Sequence, residues 1–176
     1  SKDDEEVEKK LFHREEILDL VQKEINEFLS HLLAGTVTQN VMEEGRDQIR
    51  IADEYESISD YVVTILKLTI KLRKENLSIS EENREELLSL HDKVTEYLEL
   101  VNEGVRTNRL NVVSKARTQG DAITHPMKEY RSNHLERVGT EMTSPMESLA
   151  ITDILNAYRR IKDHALNIAE VVSGVK

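Results

Sequence analysis

The stretch Ile51-Ala-Asp53-Glu-Tyr55-Glu56-Ser-Ile58-Ser-Asp60-Tyr-Val62-Val-Thr-Ile65 decides the fold. Ile51, Tyr55, Ile58, Val62 and Ile65 recur at steps of four and three, the spacing that lines one side of an α-helix. Shifted by 103 residues, these positions fall on Ile154, Tyr158, Ile161, Ala165 and Ile168, again small or apolar. Asp60 falls on Asp163 and Glu56 on Arg159. Self-similarity over such a distance marks duplicated units that stack to share a core.

Outward from these two segments the chain reads as five helices. The first spans about Asp4 to Leu33, with Val7, Leu11, Leu18, Val21, Ile25, Phe28 and Leu32 as its apolar stripe and Gly35 as its stop. Thr36-Val-Thr-Gln39 reads as a capping box opening the second, from Thr36 or Thr38 to about Asn76. Ser78-Ile-Ser-Glu81 opens the third, which breaks between Gly104 and Asn108. The fourth contains Pro126, expected to bend it, and closes at Gly139. Ser144-Pro145-Met-Glu147 is the clearest start signal, with Ser as N-cap and Pro at the first helical position. The fifth helix runs to about Ser173, and Gly174 caps it. No strand-like alternation occurs, so the fold class is all-α, an antiparallel helical bundle.

Composition agrees. The 176 residues are 38% hydrophobic, 33% charged and 4% aromatic, with two prolines and six glycines. Helices tolerate long charged faces and few turn residues, and one domain of this size buries a real core. Twenty-four Lys and Arg against 34 Asp and Glu give a net charge of −10, which disfavours general nucleic-acid or anionic-membrane surfaces. Lys67, Lys71, Arg73 and Lys74 read as a solvated basic face. The absence of cysteine excludes disulfides and thiolate metal sites. No run approaches the ~18 apolar residues of a spanning helix. The chain does not begin with Met and reads as part of a longer protein.

Successive helical residues turn by about 100°. Asp53, Glu56 and Asp60 therefore share a narrow arc opposite the apolar stripe. Carboxylates so spaced can hold a divalent cation when neighbouring helices add oxygens; otherwise they form a solvated acidic ridge. His164 reads either as a ligand or proton carrier, or as a surface residue pairing with Asp163 or Glu170. Tyr55 and Tyr158 read as packing residues with their hydroxyls at the bundle edge, and His91 and His134 as core or boundary histidines. No Glu-x-x-His pair occurs, which removes the di-iron bundle motif, and no phosphate-cradling glycine loop, nucleophile elbow or zinc-protease motif is present. Nothing in the sequence points to an enzyme.

Tyr158-Arg-Arg-Ile-Lys-Asp163-His164-Ala165-Leu-Asn167-Ile168-Ala169-Glu170 resembles the signature of the PhoU family of helical phosphate-signalling proteins. Seven residues, Asp163, His164, Ala165, Asn167, Ile168, Ala169 and Glu170, match it one for one. The earlier Glu56-x-x-x-Asp60 matches the family's acidic motif, with Ser where Arg and Gly are usual. The family is built from two spectrin-like three-helix repeats. The chain is similar to such a protein lacking the first helix of repeat one, with residues 1–77 as the partial first repeat and 78–176 as the second, in a single domain. With Arg131-Ser-Asn-His-Leu-Glu-Arg137, it most resembles the cytoplasmic PhoU-like tail of sodium–phosphate cotransporters.

The resemblance implies a non-catalytic regulatory domain on the cytoplasmic side of the plasma membrane. Its partners would be the membrane-spanning part of the same polypeptide, a phosphate-signalling protein or a second copy, and no nucleic acid. It also implies iron or zinc at Glu56 and Asp60, beside which the helical spacing places Asp53 as a third carboxylate. Asp163 carries over one ligand of a second site, but Arg159 stands where its partner Glu would be, and an Arg159–Asp163 ion pair is expected there in place of metal. A free-standing PhoU-type adaptor and a purely structural helical-bundle interaction module are the alternatives. Residues 4–76 and 109–174 are expected to form matching helical hairpins.

Overall fold

The computed structural model describes residues 2–107, 111–140 and 144–174. It contains five helices: α1 (Lys2–Leu33), α2 (Gln39–Lys74), α3 (Glu81–Arg106), α4 (Val112–Thr140) and α5 (Pro145–Val172). Among the described residues there is no strand, and no helix is long and apolar enough to cross a membrane.

Each described N-cap is a hydroxyl residue whose oxygen accepts an otherwise unpaired first-turn amide. Thr38 accepts from Val41 N at 3.4 Å, Ser80 from Asn83 N at 3.3 Å and Ser144 from Glu147 N at 3.1 Å. Thr38 is one of the two starts that the sequence offered for α2, whereas the α3 cap differs from the Ser78 pattern. In both Thr36-Val-Thr38 and Ser78-Ile-Ser80 the second hydroxyl residue caps, because it holds the extended backbone from which its oxygen reaches the third helical amide. The α2 terminus is closed by Asn76 at φ 52°, with Leu77 N bonded to Leu72 O at 3.0 Å and Asn76 N to Arg73 O at 3.1 Å. Asn tolerates this left-handed position better than most side chains. Gly174, at φ 66°, takes the same role after α5. α4 passes Gly139 and ends at Thr140, so that glycine does not close it. α3 ends at Arg106; Asn108, the far edge of the expected break, lies outside the described residues.

The helices pack as two joined antiparallel groups. In the α1–α2 hairpin, Leu33 sits against Gly45 at the turn end, and Arg73 bonds Glu8 at 2.6 Å at the other. In α3–α4–α5, Asn133 donates to Glu86 at 2.7 Å and Lys162 to Thr124 at 3.1 Å, so successive helices alternate in direction. α5 is the centre: it packs on α2, α3 and α4, whereas among the described residues the backbone of α1 lies close to that of α2 and of no other helix. Ile151, Ile154, Ile161, Ala165 and Ile168 of α5 are buried against Leu90, Val94, Tyr97 and Val101 of α3 and Ala116, Ile123 and Met127 of α4. Each large side chain so buried contributes about 1.5–3 kcal/mol relative to exposure.

With one neighbour, α1 cannot bury its whole apolar stripe. Val7, Leu18, Val21, Phe28 and Leu32 are exposed, Phe28 to 67%. The regular spacing of these residues foretold a helix correctly, but not which side of it would be covered.

Candidate functional site

The two acidic motifs lie on α2 and α5, whose antiparallel packing forms the spine of the molecule. The seam is polar at one level. Glu54 Oε2 lies 2.6 Å from His164 Nδ1, and Asn167 Nδ2 donates to both Glu54 oxygens at 3.0 and 3.2 Å. Tyr61 stacks on the His164 ring with centroids 5.7 Å apart. His164 and Asn167, one turn apart on α5, thus grip one carboxylate of α2. His164 pairs with neither Asp163 nor Glu170; Glu170 instead accepts from Arg117 of α4 at 2.9 Å. Glu54 was missed because it lies beside the acidic arc, and its partners come from a helix more than a hundred residues away.

Of the three first-motif carboxylates, Asp53 is turned to α1. Its Oδ1 accepts from Gln22 Nε2 at 2.6 Å and from Asn26 Nδ2 at 2.9 Å. Glu56 and Asp60 remain adjacent. Burial first, then the neighbouring Asp60 charge, raises the Glu56 carboxyl above its ordinary range, with smaller contributions from Asp19 of α1 and Asp53. Asp19 is a further acid invisible from the spacing on α2, and it is itself paired with Lys23 at 2.9 Å.

Among the described residues no group of three or more His, Asp or Glu is gathered as a metal ion would need. Glu56 and Asp60 would offer a divalent cation two carboxylates, whose repulsion it would relieve, and water would have to complete the shell. The second motif does not fit. Asp163 Oδ1 lies 3.1 Å from Lys162 Nζ, so an ammonium holds the position a cation would take. The pair expected between Arg159 and Asp163 is absent among the described residues, because Lys162, less than one-sixth exposed and anchored on Thr124, reaches Asp163 first.

Tyr55 and Tyr158 behave as packing residues with bonded hydroxyls. Tyr55 donates to Asn102 Oδ1 at 2.7 Å, and Tyr158 OH lies 3.1 Å from His91 Nδ1. Burial pushes the Tyr158 phenol up to about 12, so it remains a neutral donor at physiological pH. His134 is buried, with Nε2 3.2 Å from the Ser148 carbonyl oxygen; that contact requires the proton on Nε2. The Ser148 hydroxyl oxygen also lies 3.3 Å from His134 Nε2.

Neither a protein-family model nor a curated protein sequence matches this chain.

Proposed function

We propose that this chain is a non-catalytic regulatory domain of PhoU type, joined to the membrane part of a sodium-dependent phosphate transporter at its cytoplasmic side. One observation carries the reading: Asp163-His164-Ala165-x-Asn167, the segment most similar to the family signature, provides two of the residues that lock α5 to α2 through Glu54. A signature that forms the seam between the two halves would be expected in a domain built from paired repeats. The α1–α2 hairpin with its open apolar stripe, beside the closed α3–α4–α5 unit, fits a first repeat lacking one helix.

Phosphate flux would be adjusted by contacts of this domain with the membrane part or with a signalling protein, and no bond would be made or broken here. Glu56 and Asp60 would hold an iron or zinc ion weakly, as a structural or signalling ligand.

The test is removal of residues 1–176 from the full polypeptide, followed by phosphate uptake at low and high phosphate supply. Altered flux, or lost control by supply, with sodium coupling retained is the expected result. Unchanged flux and control would end the regulatory reading. The coding sequence upstream of Ser1 separates this proposal from a free-standing adaptor, because only the former places membrane-spanning helices there.

A further inference from the structure

In a chain of net charge −10, one cleft is basic. Thr124, Met127, Lys128 and Arg131 recur at steps of three, one and three and share a face of α4. Leu155, Arg159 and Lys162 share the opposing face of α5. The Lys162–Thr124 bond at 3.1 Å sets these faces side by side, around a cleft of about 340 Å³.

Four cations line this cleft, Lys128, Arg131, Arg159 and Lys162, against the single carboxylate of Asp163. Four positive groups and one negative leave three positive charges. Lys162 is engaged by Asp163 and Thr124. Lys128, Arg131 and Arg159 have no ion-pair partner among the described residues, and all three are exposed. Met127 and Leu155, each under one-tenth exposed, supply an apolar floor. Cations crowded without counter-charges repel one another, and a multiply charged anion removes that repulsion. Two guanidiniums lining one cleft, from α4 and from α5, suit tetrahedral oxyanions, because each presents a planar fork of donors. An acidic protein repels anions over most of its surface, so adventitious anion binding is disfavoured elsewhere.

We propose that the α4–α5 cleft binds a phosphate-class anion, as free phosphate or as the phosphoryl group of a small phosphorylated molecule, held by Arg131 and Arg159 with Lys128 and Lys162 in support. Arg159, left without Asp163 because Lys162 takes that carboxylate, thereby becomes an anion ligand. This inference does not depend on the transporter reading.

The test is isothermal titration of the whole chain with orthophosphate, pyrophosphate and AMP at pH 7.5 and low salt, beside sulfate and chloride. The expected result is one saturable site that prefers the phosphate-class probes to sulfate and chloride and weakens as salt rises. Tighter binding of AMP than of orthophosphate identifies a phosphorylated small molecule as the source; equal or weaker binding identifies free phosphate. Because Arg131 and Arg159 are exposed, R131Q/R159Q should fold normally, as circular dichroism can verify, and should weaken binding at least tenfold. K67Q/K71Q on α2, away from the cleft, should leave binding unchanged. No saturable binding, binding equal to that of sulfate, or binding indifferent to R131Q/R159Q would overturn the proposal.

Discussion

Glu54 of α2 and His164 of α5 meet at 2.6 Å across the central seam, with the carboxylate 14% and the imidazole 24% exposed. Because Asn167 donates to the same carboxylate, removing Glu54 strands two polar groups at once. Glu54→Ala should cost about 1.5–3 kcal/mol, the range for hydrogen bonds to charged, poorly solvated groups. A double-mutant cycle with His164→Ala in urea unfolding should give a coupling of about 1 kcal/mol. Strict additivity would mean that the contact does not hold the halves together.

At the first motif, Glu56 is raised by burial and by Asp60. A carboxyl that holds its proton more tightly when folded than when unfolded opposes folding as pH rises from its unfolded pKa through its folded one. Glu56→Gln should therefore stabilise the protein at pH 7, by about 0.2–0.5 kcal/mol for relief of a like-charge pair one turn apart. The gain should vanish at pH values below the ordinary glutamate range. Thermal unfolding of both proteins at pH 3.5 and 7 is the measurement.

Zinc or iron(II) should raise the melting temperature modestly, and the effect should disappear in Glu56→Gln/Asp60→Asn. Asp163→Asn should leave it unaltered, because Lys162 already occupies that carboxylate. An equal loss in Asp163→Asn would place the metal at the second motif.

His134 reports on pH from inside the fold. Burial lowers its pKa below the ordinary histidine value, with Arg137 adding to the effect and the Ser148 carbonyl, Glu147 and Glu86 opposing it. The folded state thus favours the neutral ring. Its stability is fully present above the unfolded pKa of about 6.5 and falls as pH drops toward the folded value, by at most about 1.4 kcal/mol per pH unit. His134→Gln, compared with the parent between pH 7.5 and 5, should flatten this dependence. Parallel curves would show that His134 does not carry the dependence.

Gly104 lets the end of α3 approach the start of α4. A Cβ there would lie 2.4 Å from Val112 Cγ2 and 2.8 Å from its Cβ. A β-branched side chain cannot retreat by rotation alone, so Gly104→Ala should overpack the turn by about 1–3 kcal/mol, partly offset by about 1 kcal/mol of helix propensity. Denaturant melts should show net loss; Gly104→Ala/Val112→Ala should recover most of it.

The helices were legible because their signals are local. Apolar steps of three and four and the Ser144-Pro145 start need no knowledge of the rest of the chain, and α5 begins at Pro145 as read. Local patterning failed where two hydroxyl residues compete for one cap, as at Ser78 and Ser80, since backbone conformation chooses between them. It also failed at the candidate site, where the decisive partners are distant in sequence. Gln22 and Asn26 take up Asp53, Glu54 takes up His164, and Lys162 displaces Arg159 as the partner of Asp163. An arc of charges on one helix says which groups lie together, and the neighbouring helix decides which of them remain available.

The backbone of α1 lies close to α2 and to no other helix among the described residues, and this has a kinetic corollary. Releasing α1 would sacrifice its contacts with α2 while leaving the α3–α4–α5 core intact, so the hairpin arm can open without global unfolding. Amide hydrogens of α1 should exchange with deuterium well ahead of those of α5, through a sub-global opening. In such an opening the amides of Gln22 and Asn26 leave Asp53, freeing a third carboxylate beside Glu56 and Asp60. Occupancy of that acidic face and detachment of the first helix are then thermodynamically linked: a cation that recruits Asp53 would speed deuterium uptake in α1.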